Sequence, residues 1–248
     1  MGLSRGVAFA AVGLDSADFN EDGWMDLFVA NLDREMFSIY PNNYDGIFDD
    51  LTLSTGIGRA TKCYLDLLLA NGNPDDLINS LHGEVTYEEP LILFRQTSKG
   101  FVDVSAASGP IFERKMNSRG LAIGDFDNDG AIDVLISVNN AAPLLLRNTA
   151  AVGNHWLGLH LVGKTCNPDA VGARITYKAG DFKRGRMKVG GGSYLSSHDP
   201  RVVLGLGSRE KLDWLEIKWP LPSGKVERFT DLPIDRYIKI VEGEGKWK

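Results

Sequence analysis

The chain has 248 residues, of which 43% are hydrophobic and 24% are charged; this composition is typical of a folded globular protein and excludes a disordered one. The formal net charge of −6, from 33 acidic and 27 basic residues, argues against a nucleic-acid-binding protein, because such proteins carry extended basic surfaces. The sequence contains no run of about 18 apolar residues, so we expect no membrane span.

The N-terminal segment, residues 1–17, has one arginine followed by a short run of small apolar residues. It lacks the longer apolar region and the cleavage site of a secretory signal peptide. The sequence therefore predicts no signal peptide in this chain and leaves the route of export open.

Three segments repeat the pattern of an aspartate followed by an apolar strand. They are MDLFVANL, LDLLLANG and IDVLISVN, and they align Asp26, Asp66 and Asp133. A hairpin pattern follows the first two, at residues 39–58 and 93–109, and a third copy starts at 145–149. Repeated all-β units of about 40 to 50 residues predict the blades of a β-propeller, because one such unit cannot bury its own apolar face.

The middle unit is shorter than its neighbours. Seven residues separate Gly58 from Asp66, whereas 23 residues separate Gly109 from Asp133. We therefore expect the middle blade to lack its first strand and its acidic loop, through either a real deletion or a damaged reading frame.

Two acidic loops of one pattern precede the strands of the first and third units. Oxygen-bearing side chains fall at positions one, three, five and nine, a glycine at position six makes the turn, and position seven offers its backbone carbonyl. Oxygen ligands that converge in a flexible loop suit Ca²⁺, and carboxylates held together without a cation repel one another. The predicted calcium ligands are Asp18, Asn20, Asp22, Trp24 and Asp26 in the first loop, and Asp125, Asp127, Asp129, Ala131 and Asp133 in the second.

These loops do not fit an EF-hand. Position twelve, Val29 or Ile136, lies in an apolar strand, where an EF-hand requires a glutamate followed by a helix. The remaining alternative is an aspartate-rich turn that closes without metal, and the presence of two copies in the same register favours calcium over it. Because Asn20 replaces an aspartate, we expect the first loop to bind more weakly.

From about residue 151 the pattern changes to short alternating strands separated by glycine and proline, which predicts a separate small β-domain over 151–248 after the repeats of 1–150. GLHLVGKT, at 158–165, has the spacing of a phosphate-binding loop, but its alternating residues predict a strand and not a helix N-terminus.

The segment VGGGSYLSSHDPR, at 189–201, contains serine, histidine and aspartate, as a catalytic triad does. It lacks the G-x-S-x-G pattern of a nucleophile elbow, which argues against a catalytic serine. We therefore expect no enzymatic activity.

The acidic units resemble the FG-GAP/VCBS repeats of integrin-type propellers. The segments GNHWLGLHLVGKTCNPDAVGARI, VGGGSYLSSHDPRVVLGLG and LEIKWPLPSGKVERF resemble the ASPIC/UnbV domain of the cartilage acidic protein-like family. The resemblance implies an all-β fold, in which partial β-propeller blades are followed by a small β-domain. It also implies that the aligned acidic positions of both loops bind Ca²⁺. Two residues are inserted where relatives have WPSG.

The resemblance implies a non-enzymatic, calcium-binding module for extracellular binding or adhesion, at the cell surface or in the extracellular space, with a protein or glycan ligand. An incomplete propeller implies a truncated gene product or a second subunit that completes it. One alternative is a protein that binds or tailors a small molecule in a bacterial natural-product pathway, to which the UnbV name is tied. Another is an inert remnant.

Overall fold

The computed structural model describes residues 11–17, 26–31, 38–42, 67–81, 86–97, 100–149 and 153–248. Strands dominate this part of the chain, which confirms the expected all-β class. The elements up to residue 149 are β1 Ala11–Ala17, β2 Asp26–Asn31, β3 Ser38–Tyr40, β4 Leu67–Leu69, α1 Ile78–Leu81, β5 Ile92–Thr97, β6 Gly100–Asp103, 3-10 turns at Ser105–Ala107 and Pro110–Glu113, β7 Ser118–Gly124, β8 Asp133–Val138 and β9 Leu144–Leu146.

The first nine strands form three sheets of three strands each, in the orders β1-β2-β3, β4-β5-β6 and β7-β8-β9. The repeat seen in the sequence is preserved in two of them, because β2 and β8 begin at the aligned residues Asp26 and Asp133. In both cases eight residues connect the preceding strand to that aspartate. The arrangement of these sheets as propeller blades stays a prediction. The expected loss in the middle unit falls at 59–66, outside the described residues.

The described residues divide into two compact units. The first runs as far as Arg119 and includes Val138–Ala141, and the second comprises Gly120–Ser137 and Ala142–Lys248. The second acidic loop, at 125–133, therefore belongs to the same compact unit as the C-terminal strands. The domain boundary expected near residue 150 stays a prediction, because a compact unit is defined by contacts and not by independent folding.

Within the first unit, the segment before β7 is tied to the residues that follow β4. The side-chain amide of Asn117 donates to the carbonyl of Asn73 at 2.9 Å and to that of Tyr87 at 3.2 Å. Arg119 donates to the carbonyls of Gly72 and Asn73. Buried backbone carbonyls need such partners, so these side chains fix the path of the chain between two sheets.

The C-terminal strands form two sheets, ordered β13-β10-β16 and β12-β11-β14-β15. β10 lies at the centre of the first sheet, antiparallel to β13 and parallel to β16. The strands are β10 His155–Val162, β11 Arg174–Ala179, β12 Phe182–Met187, β13 Val202–Gly207, β14 Trp214–Lys218, β15 Val226–Phe229 and β16 Tyr237–Val241.

The alternating residues of these strands build one hydrophobic core. In β11 the side chains of Ile175, Tyr177 and Ala179 are buried, while those of Arg174 and Lys178 are exposed. Such alternation places every second side chain on the core face of a sheet. The phosphate-loop spacing at 158–165 lies in β10 and the turn after it, as the alternation predicted. Across the described part of the chain, no helix has the length and apolar character needed to cross a membrane.

Candidate metal centre

The second acidic loop connects β7 to β8 and brings three of its four predicted carboxylates together. One carboxylate oxygen from each of Asp125, Asp127 and Asp133 lies within 4.8 Å of the others. Asp125 and Asp133 are 2% and 3% exposed, whereas Asp127 and Asp129 are exposed. Two buried carboxylates and one exposed carboxylate thus converge at one end of this sheet. Hard oxygen donors of this kind are those that Ca²⁺ and Mg²⁺ prefer.

Backbone amides of the loop orient the two buried carboxylates. Asp125 accepts hydrogen bonds from the amide of Asp129 at its Oδ1, 3.0 Å away, and from the amide of Gly130 at its Oδ2, 2.9 Å away. Asp133 accepts one from the amide of Phe126, 2.9 Å from its Oδ2. Because a carboxylate oxygen has two lone pairs, most of these atoms keep the capacity to bind a cation.

The fourth predicted carboxylate, Asp129, lies outside the cluster of three. Its Oδ1 accepts a hydrogen bond from the amide of Ala131, 2.8 Å away. The guanidinium of Arg147 lies 2.6 Å from Asp127 and 3.6 Å from Asp129, measured between nitrogen and carboxylate oxygen. Arg147 therefore supplies a positive charge to the exposed side of the loop. The roles of the Asp129 carboxylate and the Ala131 carbonyl as metal ligands stay predictions.

Of the first acidic loop, only the closing aspartate lies within the described residues. Asp26 is fully buried, and its Oδ1 accepts a hydrogen bond from the amide of Asn42, 2.9 Å away. Asp133 makes the equivalent bond to the amide of Asn148, at 2.8 Å. The first and third sequence repeats thus place their closing carboxylates, Asp26 and Asp133, in the same way. Four predicted ligands lie outside the described residues: Asp18, Asn20, Asp22 and Trp24.

Two polar side chains that the sequence did not single out bind the second loop. Tyr237, at the start of β16, donates its hydroxyl to Asp125 Oδ2 at 2.6 Å. Arg201 donates to the backbone carbonyl of Asp125 at 2.9 Å and to the side-chain oxygen of Asn128 at 2.6 Å. Both residues lie far from the loop in sequence, so no local spacing indicated them.

Two aromatic rings pack beside the loop where glycines leave room for them. A Cβ atom on Gly130 would overlap the indole of Trp156, and one on Gly158 would overlap the ring of Tyr237. Gly130 also has a φ of 86°, a conformation that side-chain-bearing residues rarely adopt. The rings of Trp156 and Tyr237 contact each other edge to face, with centroids 5.1 Å apart.

The guanidinium of Arg201 is held in a fixed orientation. Its Nε and Nη2 atoms bind the carboxylate of Asp199 at 2.6 to 3.0 Å, and it lies over the Tyr237 ring, 4.0 Å from the centroid. Burial opposes ionisation of Asp199, but the hydrogen bonds from Arg201 outweigh it and lower the pKa of this carboxyl. Burial and the neighbouring Asp125 carboxylate raise the pKa of Tyr237 well above its usual range, so its hydroxyl stays a donor.

The glycine-rich segment that contains serine, histidine and aspartate lies along β7. Ser196 donates its hydroxyl to the carbonyl of Leu121 at 2.6 Å, and the amide of Asp199 donates to the carbonyl of Ile123 at 2.9 Å. The amide of Ile123 in turn donates to Nδ1 of His198 at 3.3 Å. Ser196 and His198 thus bind backbone groups of β7 and the Asp199 carboxylate binds Arg201, so the three do not form a chain from serine to histidine to aspartate.

The C-terminal part of the chain is similar to a known protein family. Residues 163–246 match the family model described as ASPIC and UnbV. This match covers about a third of the chain and includes strands β11 to β16. The chain is also 26% identical over 226 residues to cartilage acidic protein 1 of Xenopus tropicalis, a match that covers 86% of this chain and 34% of that relative. The chain thus spans about a third of the relative's length. Arg201 and Tyr237 lie inside the matched residues 163–246, whereas the assignment of FG-GAP/VCBS repeats stays a prediction.

Proposed function

We propose that this protein is a non-enzymatic, calcium-binding module of an extracellular or cell-surface protein, in which Ca²⁺ has a structural role in the acidic loops. The observation that supports the proposal most directly is the convergence of Asp125, Asp127 and Asp133. Carboxylates this close raise the free energy of the folded state unless a cation neutralises them. Of the four loop aspartates, Asp127 and Asp129 face Arg147, while the charge of Arg201 is paired with Asp199, so negative charge remains for a divalent ion to balance.

The side chains of Asp125, Asp127 and Asp133 would hold the ion, and the Asp129 carboxylate and the Ala131 carbonyl are the further ligands expected from the sequence. The first loop would bind in the same manner, with Asp26 as its closing carboxylate. A bound Ca²⁺ ion would attract the carboxylates of Asp125, at the start of the loop, and Asp133, at the start of β8, and would hold these two positions together. The free energy of binding then adds to the free energy of unfolding.

An extracellular location is supported by the similarity to a protein named for cartilage and by the expected affinity. Loop sites in extracellular modules bind Ca²⁺ with dissociation constants of about 10⁻⁴ to 10⁻³ M, and such sites fill at millimolar calcium. The engagement of Ser196 and His198 with the backbone of β7 supports a binding module over a hydrolase. The ligand we propose is an extracellular protein or a glycan.

The test is thermal unfolding of the purified chain in EDTA and in 2 mM Ca²⁺. For a dissociation constant in the stated range, we expect calcium to raise the free energy of unfolding by about 0.7 to 1.8 kcal/mol, equivalent to about 1 to 7 °C in Tm. Asp127→Asn should abolish the share of this rise that comes from the second loop, which we expect to be the larger share because Asn20 weakens the first loop. Asp127 is exposed, so its replacement leaves the core unchanged. Asp76→Asn, which removes the same charge from an exposed site elsewhere, should keep the full rise.

A folded wild-type protein whose Tm is the same in EDTA and in calcium would overturn the metal assignment and leave an aspartate-rich turn. An equal response in Asp127→Asn would move the site away from this loop. A small molecule that co-purifies with the chain would favour the alternative function in a natural-product pathway.

A further inference from the structure

We propose that the C-terminal β-domain holds the second acidic loop in its metal-binding conformation through Tyr237 and Arg201, and that metal binding to the loop therefore stabilises this domain. The inference rests on the proposed function, because it concerns the same loop. It adds two residues, Tyr237 and Arg201, that position the loop. It also links metal binding to the stability of a domain that supplies no predicted ligand.

Tyr237 acts on the first ligand of the loop. Its hydroxyl and the amide of Gly130 both donate to Asp125 Oδ2, so this oxygen is fully occupied. Among the described residues, the other oxygen, Oδ1, accepts the amide of Asp129 alone and keeps a lone pair for a cation. Tyr237 therefore selects which oxygen of Asp125 faces the other two carboxylates. Hydrogen bonds from outside the ligand set commonly orient metal ligands in this way.

Arg201 acts on the backbone of the same loop. It binds the carbonyl of Asp125 and the side chain of Asn128 with two different nitrogens. Asn128 has a φ of 59°, a left-handed conformation that most residues with a side chain avoid and that asparagine adopts more readily. The bond from Arg201, which Asp199 fixes in place, stabilises that conformation. The turn that brings Asp127 towards Asp125 thus depends on a side chain of the C-terminal domain.

The aromatic pair makes this connection rigid. Trp156 packs on Gly130 of the loop, and Tyr237 packs on Gly158, its neighbour on the adjacent strand β10. Overlap of a Cβ atom with each ring shows that these approaches require glycine. The indole and phenol rings then contact each other, so a displacement of the loop would disturb both β10 and β16.

These contacts make the effect reciprocal. If the domain lowers the free energy of the loop conformation that binds metal, bound metal lowers the free energy of the docked domain by the same amount. The ion would therefore protect strands of the C-terminal sheet that do not touch it. Protection restricted to the loop itself would be expected without this coupling.

The experiment measures metal affinity and domain protection separately, on the full chain. Tb³⁺, which replaces Ca²⁺ and is sensitised by a nearby indole, is titrated into the protein and then displaced with Ca²⁺, at a temperature where every variant is folded. We expect Tyr237→Phe and Arg201→Lys each to weaken metal binding on the order of 10-fold. Trp156→Phe should remove most of the sensitised emission and leave a measurable Ca²⁺ affinity.

Two matched controls separate positioning from general destabilisation. Tyr194→Phe removes the same hydroxyl from a ring that is 46% exposed and should leave the affinity unchanged. Arg209 is the matched control for Arg201, because it also binds an aspartate, Asp181, and also lies over an aromatic ring, Phe182. It lies away from the loop, so Arg209→Lys should leave the affinity unchanged.

Hydrogen exchange is then measured with and without Ca²⁺ for peptides that cover β13 and β16, and we expect slower exchange in both with calcium.

The outcomes distinguish this inference from the proposed function. If the wild-type chain binds neither Tb³⁺ nor Ca²⁺, the proposed function fails and the inference fails with it. If the wild type binds metal and Tyr237→Phe and Arg201→Lys bind it with unchanged affinity, the calcium site stands and the inference is overturned. Calcium protection confined to residues 125–133 would overturn the reciprocal part.

Discussion

Glu242, just after β16, accepts a hydrogen bond from the backbone amide of Lys164, 2.7 Å from its Oε2. The same oxygen accepts bonds from the amides of Thr165 and Cys166, at 2.7 and 3.1 Å. This turn carries the GKT of the phosphate-loop spacing, and its amides do converge on an anion. The anion is a carboxylate of the protein itself, only 3% exposed, so the sequence match has a structural explanation without a nucleotide.

The bond network at Glu242 predicts a specific dependence of stability on pH. Burial opposes ionisation, but the nearby Ser223 hydroxyl and the amides of the turn stabilise the carboxylate and lower the pKa of Glu242 from 4.5 to about 2. A folded-state pKa below the unfolded value adds stability that is complete above about pH 4.5 and is lost as the pH falls towards 2. Replacement by a neutral side chain should remove this dependence.

We therefore expect Glu242→Gln to lower the free energy of unfolding by about 2 kcal/mol at pH 7. The difference from wild type should shrink between pH 4.5 and pH 2. Urea unfolding at several pH values measures both quantities. Glu210→Gln, at an exposed position, is the control and should follow wild type. A difference that stays constant from pH 7 to pH 2 would contradict the assigned cause.

Gly130 is predicted to be intolerant of any side chain. Alanine at this position would overlap Trp156 and would have to keep a φ of 86°. We expect Gly130→Ala to lower the free energy of unfolding by about 2 to 4 kcal/mol, from overpacking and backbone strain together. At Gly205, in β13, a Cβ atom would meet nothing within 4 Å, so Gly205→Ala should change stability little. Equal effects of both substitutions in thermal unfolding would refute the packing argument.

Arg147 is predicted to compete with the metal. Its guanidinium contacts Asp127 and Asp129, and a cation that binds the loop must share or displace it. Because Arg147 is largely exposed, we expect Arg147→Gln to tighten calcium binding only a few-fold and to change stability in EDTA by less than about 1 kcal/mol. Calorimetric titration with Ca²⁺ measures the change. Weaker binding in this variant would show that Arg147 supports the site.

The thiol of Cys166 is predicted to be unreactive in the folded protein. It is buried, and burial together with the hydrogen bond and charge of Glu242 raises its pKa from 9.0 to about 11. Alkylation requires the thiolate, so iodoacetamide at pH 8 should label this position only after unfolding in urea. The measurement uses a Cys63→Ser background, so that Cys166 is the sole thiol. Rapid labelling under native conditions would show that the Cys166 thiol is accessible in the folded protein.

The sequence predicted local features well. The alternation after residue 151 predicted short strands, of which β11 is one, and the spacing of aspartates in the second loop identified three carboxylates that the fold brings together. Both signals depend on residues within a few positions of each other, where strand geometry or a tight turn determines which side chains meet.

The sequence did not predict the contacts between distant segments. Tyr237 binds Asp125 across 112 positions, and Glu242 binds Lys164 across 78. Such contacts depend on how sheets pack, which no local spacing encodes. One weak signal was present: Gly158 interrupts the bulky residues of β10, and a glycine inside a strand often marks the close approach of another group. In this case the group is the ring of Tyr237.

The parallel pairing of β10 with β16 has a consequence for the order of folding. β10 is synthesised long before either of its neighbours, and the acidic loop is synthesised earlier still. Until β16 emerges, the central strand lacks a partner on one edge, and Asp125 lacks the hydroxyl of Tyr237. Pairing across such a sequence distance closes a large loop and is slow. β16 is thus the strand that completes this sheet, so the acidic loop gains the Tyr237 hydroxyl only after β16 has been synthesised.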